Sequence, residues 1–240
     1  MGFDTELYLE EYGKKAKRAA FLLAQAGTEI KNNALAEVAA ALVENSGYIL
    51  AENEKDISDA QENGIRPVMV DRLRLTEERI KGMAEGLVQL IALPDPVGEI
   101  LEGFKRPNGL EIIKRRVPIG VLGIIFESRP NVTADAAGLC IKAGNACILR
   151  GGKEAIHSNI AIASVFSKAL ENAGLPSAAV QLIDRPEREI ANGLMRLNGY
   201  VDVLIPRGGA GLIHSVVENA TVPVIQTGTG NCHIFVDESA

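Results

Sequence analysis

The sequence Val-Pro-Ile-Gly-Val-Leu-Gly-Ile-Ile-Phe-Glu-Ser-Arg-Pro-Asn-Val-Thr, residues 117–133, and its continuation to Gly152 read as strand, turn, helix, strand and turn. Gly120 to Phe126 is an apolar run rich in branched side chains, as a parallel strand buried on both faces requires. At Glu127-Ser128-Arg129-Pro130 the strand must stop, because proline lacks a backbone donor and disfavours helical angles at Arg129. Asn131 or Thr133 can then cap a helix running to Lys142, with Gly144 at its C′ position. A second apolar strand, Ala146 to Leu149, leads into Arg150-Gly151-Gly152. In an open α/β sheet ligands bind beyond the carboxyl ends of the strands, so polar residues gathered there mark a candidate site.

The alternation continues towards the C-terminus. Glu154 to Asn172 reads as a helix stopped by Gly174-Leu175-Pro176, Val180 to Ile183 as a strand, and Glu187 to Leu197 as a helix. Val201 to Ile205 is a strand ending in Pro206-Arg207-Gly208-Gly209. A helix then runs to Asn219, with further strands predicted at Val222–Ile225 and Cys232–Val236. Alternating strands and helices mean βαβ units and a mostly parallel sheet. On the N-terminal side residues 4–93 read as helices, among them Ile30–Val43, Tyr48–Ala60 and one opened by Thr76-Glu77-Glu78. Asn108-Gly109 is a tight-turn pair, so residues 104–117 read as a protruding hairpin. Local sequence leaves open whether it is a surface hairpin or an arm that pairs with another subunit. The organisation is therefore 1–103 helical, 104–117 hairpin and 118–240 sheet.

Composition narrows the function. A net charge of −6 over 240 residues leaves no basic footprint for nucleic acid. No apolar run reaches the length of a membrane span, and the acidic start lacks the order of a secretory signal. Cys140, Cys147 and Cys232 are an odd number in apolar contexts, which points to a reducing cytoplasm. They make no metal-ligand spacing with His157, His214 and His233, so no metal is expected.

One device occurs twice: Arg150-Gly151-Gly152 and Arg207-Gly208-Gly209 both sit where a strand turns into a helix. Glycines there let backbone N–H groups approach an anion, and a neighbouring guanidinium matches phosphate. A single instance reads as a tight turn; two on one rim point to a phosphate-bearing ligand. The Gly-x-Gly-x-x-Gly dinucleotide fingerprint and the nucleoside-triphosphate loop are both missing. Asn131 is either a plain helix cap or a side-chain amide that can donate to a developing oxyanion. Cys140 and Cys147 read as core, and Cys232 beside His233 makes no working pair along a strand.

Glu127-Ser128-Arg129-Pro130-Asn131, Leu149-Arg150-Gly151-Gly152-Lys153, Ile205-Pro206-Arg207-Gly208-Gly209 and Thr227-Gly228-Thr229-Gly230-Asn231-Cys232-His233 resemble, in order, the γ-glutamyl phosphate reductase family. These are the glutamate-5-semialdehyde dehydrogenases of the aldehyde dehydrogenase superfamily. The resemblance implies an aldehyde dehydrogenase-like, Rossmann-type α/β fold with N-terminal helices and a protruding β-hairpin. It implies NADPH-dependent reduction of L-glutamate 5-phosphate to the semialdehyde, in proline biosynthesis, by a cytoplasmic homo-oligomer. A cysteine thiolate would displace phosphate, and hydride from NADP(H) would reduce the thioacyl group. Asn131 matches the oxyanion asparagine. Cofactor-binding positions carried over by the resemblance are Ser128, Arg129, Pro130, Arg150, Gly151, Gly152, Lys153, Arg207, Gly208, Gly209 and Gln226. Arg150 falls near the adenosine ribose, where it and Lys153 can meet a 2′-phosphate. Gln226 replaces the glutamate that many superfamily members use for hydrolysis. The family's nucleophile lies in an Arg-Pro-x-x-Cys-Asn segment that this sequence does not contain. The 240 residues therefore read as the cofactor-binding part, without the catalytic domain. The alternatives are a non-catalytic NADP-binding or assembly module, or a related acyl-phosphate or acyl-thioester reductase.

Overall fold

Helices come first in the described chain, which is residues 4–226, 228 and 233–239 of a computed structural model. Helix α1 (Thr5–Leu23) begins at Asp4, whose carboxylate accepts from the amides of Glu6 and Leu7. Its inward stripe of Leu9, Gly13, Ala16, Ala20 and Leu23 follows helical spacing. Helices α2 (Thr28–Glu44) and α3 (Ser46–Glu62) follow, then α4 (Pro67–Leu73), a short helix within the stretch read as helical but not singled out by the sequence. Pro67 stands in the first turn of α4, and Val70 and Leu73 pack on Ile57 and Ala60 of α3. Helix α5 (Glu77–Ala92) is capped by Thr76, whose hydroxyl accepts from the Arg79 amide.

Strands β1 (Ile100–Lys105) and β2 (Glu111–Arg115) form an antiparallel hairpin of their own. Its first strand begins at Ile100, ahead of residue 104, because Ile100 and Glu102 find partners in Arg115 and Lys114. Gly109 takes φ +89° in the turn, where a side chain would be strained. Both strands are exposed along their whole length.

The main sheet consists of β3 (Val121–Phe126), β4 (Ala146–Arg150), β5 (Val180–Leu182) and β6 (Val203–Arg207), all parallel, in the order β5-β4-β3-β6. Every residue of β3 is buried, as a strand covered on both faces demands. The linking helices are α6 (Asn131–Lys142), α7 (Ile156–Asn172) and α8 (Arg188–Met195), and α9 (Ala210–Asn219) follows β6. Helices α6 and α7 touch each other, as do the return helix α8 and α1, and the right-handed rule for such connections puts the first pair on one face and the second on the other. Helices α2 and α5 pack behind α6, and one continuous core joins helices and sheet. The amino end of β3 is pinned by Asp202, which accepts from the Val121 amide at 2.8 Å and pairs with Lys17 at 2.6 Å.

Three sequence expectations need correction. The strand placed at 222–225 is reduced to a single parallel bridge between Leu204 and Val224. Residues 233–236 form no strand; Ile234 and Phe235 are exposed and have no sheet neighbour among the described residues, and Cys232 lies outside those residues. A strand is made by its partner, not by its own apolarity. Finally, neither Asn131 nor Thr133 caps α6: Pro130 occupies the cap position without a side-chain bond, and Thr133 is buried and bonded to Asn159. Gly144 does close that helix, with φ +72°.

Candidate functional site

The chain runs outward from β3 through β4 to β5 and then returns to place β6 on the other side of β3. The crevice beyond β3 and β6 is therefore the switch point of the sheet, where open α/β folds bind ligands. The Glu127 amide donates to the Arg207 carbonyl at 3.3 Å, which extends the β3–β6 pairing into the two turns. Glu127 then folds its carboxylate onto the start of α9, where Oε1 accepts from the Gly209 amide at 3.1 Å. A Cβ at Gly208 would lie 2.6 Å from that carboxyl carbon, so glycine is needed for the contact. The positive end of α9 is thus already met by an internal anion.

Arg150-Gly151-Gly152 is built differently. Gly151 and Gly152 are buried, and a Cβ at Gly151 would collide with Asn159 Nδ2 and the Phe126 ring. The Arg150 guanidinium donates to the Pro186 carbonyl at 2.7 Å, while its Nε is buried without a partner. Burial holds its pKa below the ordinary value against the opposing pull of Glu154. Gly152 remains close to the first turn, because a Cβ there would sit 3.4 Å from the Ser128 nitrogen.

Two cavities open at this rim. One, of about 410 Å³, brings Ser128, Arg129, Arg207, Gly208 and Gly209 together with Met69, Arg72 and Glu127. The second, of about 460 Å³, is lined by Arg129, Pro130, Asn131 and Asp135 and by Asp71, Arg72, Arg74 and Arg79 from α4 and the start of α5. Arg72 and Arg129 line both. Arg150, Gly151, Gly152, Lys153 and Gln226 line neither. The sequence reading missed Arg72, Arg74, Arg79 and Asp135. The run Arg72-Leu73-Arg74-Leu75, an alternation of guanidiniums and apolar anchors after a helix-starting proline, was the available signal.

Asn131 is freed from capping. Its Nδ2 donates to Asp135 Oδ2 at 3.0 Å, one helical turn on, which fixes the amide and leaves its other N–H unclaimed. Partial desolvation against the cavity wall raises the pKa of the exposed Asp135, and the bond from Asn131 opposes that rise only partly. Of the described cysteines, Cys140 and Cys147 are both buried in the core and line neither cavity. The contact with Cys140, together with burial, raises the Cys147 thiol well above its ordinary pKa, so it does not present a thiolate. Among the described residues no three His, Cys, Asp or Glu side chains gather as a metal site, and no single helix is long and apolar enough to cross a membrane.

A parallel sheet with its site at the β3–β6 switch point, an asparagine at the mouth and no glycine fingerprint defines a class, and residues 13–240 match the aldehyde dehydrogenase family. The chain belongs to that family. It is 59% identical over 236 residues to the gamma-glutamyl phosphate reductase of Clostridium botulinum, covering 98% of this chain and 56% of the relative. The solved gamma-glutamyl phosphate reductase of Thermotoga maritima superposes with a TM-score of 0.92 at 45% identity, over 98% of this chain and 56% of that one. The enzyme of the same name from Saccharomyces cerevisiae gives a TM-score of 0.83 at 30% identity, over 90% and 55% of the two chains. The chain thus spans about 56% of the curated relatives it matches. Family membership implies a nicotinamide cofactor.

The residues of the crevice fit such a cofactor's phosphates in one respect and restrict them in another. Arg72, Arg129 and Arg207 offer guanidiniums around the 410 Å³ space, but the Gly209 amide is committed to Glu127. A phosphate placed there would meet side chains and not the end of α9.

Proposed function

We propose that this chain is the cofactor-binding and oxyanion-stabilising part of an NADPH-dependent reductase of L-glutamate 5-phosphate, working in the cytoplasm on the route to proline. The observation that carries the proposal is the β3–β6 crevice, where three guanidiniums and the steered amide of Asn131 share one rim. The 59% identity to a gamma-glutamyl phosphate reductase supports the choice of substrate.

When bound, the reduced nicotinamide supplies hydride. The chain's own part is to bind, orient and stabilise charge. Asn131 presents the Nδ2 proton that Asp135 leaves free to the oxygen of the reacting carbonyl, where negative charge develops. Ser128, Arg129 and Pro130 form the wall between cofactor and substrate. Arg207, Gly208 and Gly209 form the floor, with Glu127 fixing the turn. Arg150, whose buried Nε lacks a partner, and the nearby Lys153 meet the 2′-phosphate that distinguishes NADPH from NADH, with Gly151 and Gly152 holding the turn between them. Gln226, exposed beyond the bridge at Val224, stands where many members of the superfamily carry a glutamate and cannot activate water as a carboxylate would. The thiolate that displaces phosphate comes from neither Cys140 nor Cys147. The β1–β2 hairpin, exposed on both strands, pairs with a second copy in a homo-oligomer.

Titration of the chain with NADPH, followed by cofactor fluorescence, tests this reading. Saturable binding, weaker for NADH, is expected, with no phosphate-dependent reduction of NADP⁺ by glutamate-5-semialdehyde. Failure to bind either nucleotide would overturn the cofactor assignment. Turnover would put the nucleophile inside this chain.

A further inference from the structure

The second cavity, beside Asn131, holds more positive charge than the fold needs. Arg79 is committed: it donates to the carbonyls of Asp71 and Arg74 and pairs with Asp71 at 3.7 Å. Asp135 is taken by Asn131. That leaves Arg72, Arg74 and Arg129, none of which makes an ion pair among the described residues. Among the described residues, the one side-chain bond that any of the three makes is the weak contact of Arg72 with Met69 Sδ at 3.9 Å. Three guanidiniums facing one space of about 460 Å³ repel one another until an anion enters.

Their backbone is not left to chance. Asn53, 3% exposed, donates to the Leu73 carbonyl at 2.9 Å and accepts from the Leu75 amide at 2.8 Å. Leu73 and Leu75 are buried on either side of Arg74, so the clamp turns residues 72 and 74 toward the cavity. Asn53 also donates to Ser158 Oγ at 2.9 Å, so a buried asparagine anchored on α7 holds this irregular turn, the support that a preorganised binding group requires.

We propose that this cavity reads the two acidic ends of the substrate. Arg72 and Arg129, shared by both cavities, hold the substrate's phosphoryl group and leave Arg207 to the cofactor's phosphates; Arg74, which lines only the second cavity, holds a carboxylate. The ligand class is a short acid carrying a phosphoryl group at the other end, recognised through charge-assisted bonds from guanidiniums. As a cysteine thiolate other than Cys140 or Cys147 forms a carbon–sulfur bond to the carbonyl carbon, the bond from that carbon to the bridging oxygen breaks. Its electron pair leaves with the phosphate, whose added charge Arg72 and Arg129 stabilise. This assignment rests on the reductase reading, yet it fails or stands separately from it.

The test is calorimetric titration of the chain with three probes: L-2-amino-5-phosphonopentanoate, inorganic phosphate and NADPH. Arg72→Met should weaken both the phosphonate and inorganic phosphate by about tenfold or more. Arg74→Met should weaken the phosphonate by a similar factor while leaving inorganic phosphate and NADPH within about twofold. Both side chains are exposed, and unchanged thermal midpoints would show that the fold is kept. Phosphonate affinity that ignores both substitutions overturns the proposal, as does an unmodified chain that binds NADPH but not the phosphonate. Loss of NADPH binding alone, with phosphonate binding intact and sensitive to Arg74, would sink the reductase reading and keep the pocket.

Discussion

Arg150-Gly151-Gly152 and Arg207-Gly208-Gly209 are the same tripeptide at the same place in a βα unit, and the fold uses them for different ends. At the first, both glycines are buried, and Gly151 lets Phe126 and Asn159 close over the turn. At the second, the glycines are exposed and admit the Glu127 carboxylate onto the Gly209 amide. The first is a packing device and the second an electrostatic one. A glycine-rich turn therefore announces a close approach without naming what approaches.

Removing what closes the first turn should have the largest effect. Phe126 is 1% exposed and lies against Gly151, so Phe126→Ala should cost about 3–5 kcal/mol in urea unfolding. Gly151→Ala comes next. Its Cβ would stand 2.2 Å from Asn159 Nδ2 and 3.1 Å from the Phe126 ring, and Asn159 is fully buried with nowhere to move. Overpacking of that kind costs about 1–3 kcal/mol. Gly208→Ala meets the end of an exposed, flexible Glu127 and a Leu212 methyl, so less than about 1 kcal/mol is expected. If the two alanine substitutions cost the same, the distinction between the turns is wrong.

Glu127→Gln sharpens the comparison from the other side. It keeps the bond to Gly209 but removes a charge from the start of α9, worth about 0.3–1 kcal/mol of stability. The same loss takes a negative charge out of the cavity that three guanidiniums line, so NADPH should bind about threefold tighter by fluorescence titration. Tighter binding with lower stability would mark Glu127 as an internal anion competing with the cofactor's own; a loss of affinity would mean that the carboxylate contacts the ligand directly.

What the sequence makes legible follows the same line. β3 is readable because a run without a polar residue has only one place in an α/β domain, and Gly109 and Gly144 because their positive φ values leave little choice of residue. Helix α4 escapes because its seven residues hold too few turns for periodicity to show, and with it go Arg72 and Arg74. Asn131 is singled out by sequence, yet its partner Asp135 is not, since a carboxylate on a helix face ordinarily meets water. The strand expected at 222–225 fails because only Val224 finds a neighbour, in Leu204. Patterns report what an element buries; they are silent on which polar groups a turn brings face to face.

Asp135 gives the smallest effect and a signed one. Partial desolvation raises its pKa from 3.8 in the folded chain although the side chain is exposed, so folding disfavours its ionisation slightly. Below the ordinary carboxylate value both folded and unfolded chains hold the proton and no penalty exists. As pH rises from there through the raised folded value, the unfolded chain ionises first, and stability falls until the folded group has ionised too. Asp135→Asn removes this slope. The substituted chain should therefore gain on the unmodified one between pH 4 and the raised value, by a few tenths of a kcal/mol in urea midpoints at about that range. The Asn131 side-chain amide signal in NMR should move over the same interval, because protonation of Asp135 weakens the bond that steers it. Movement of that signal without a stability slope would keep Asp135 as the group that orients Asn131 while denying that its partial desolvation costs anything. A flat response in both would detach Asn131 from Asp135, and the oxyanion donor would lose the feature that separates it from an ordinary residue in the first turn of a helix.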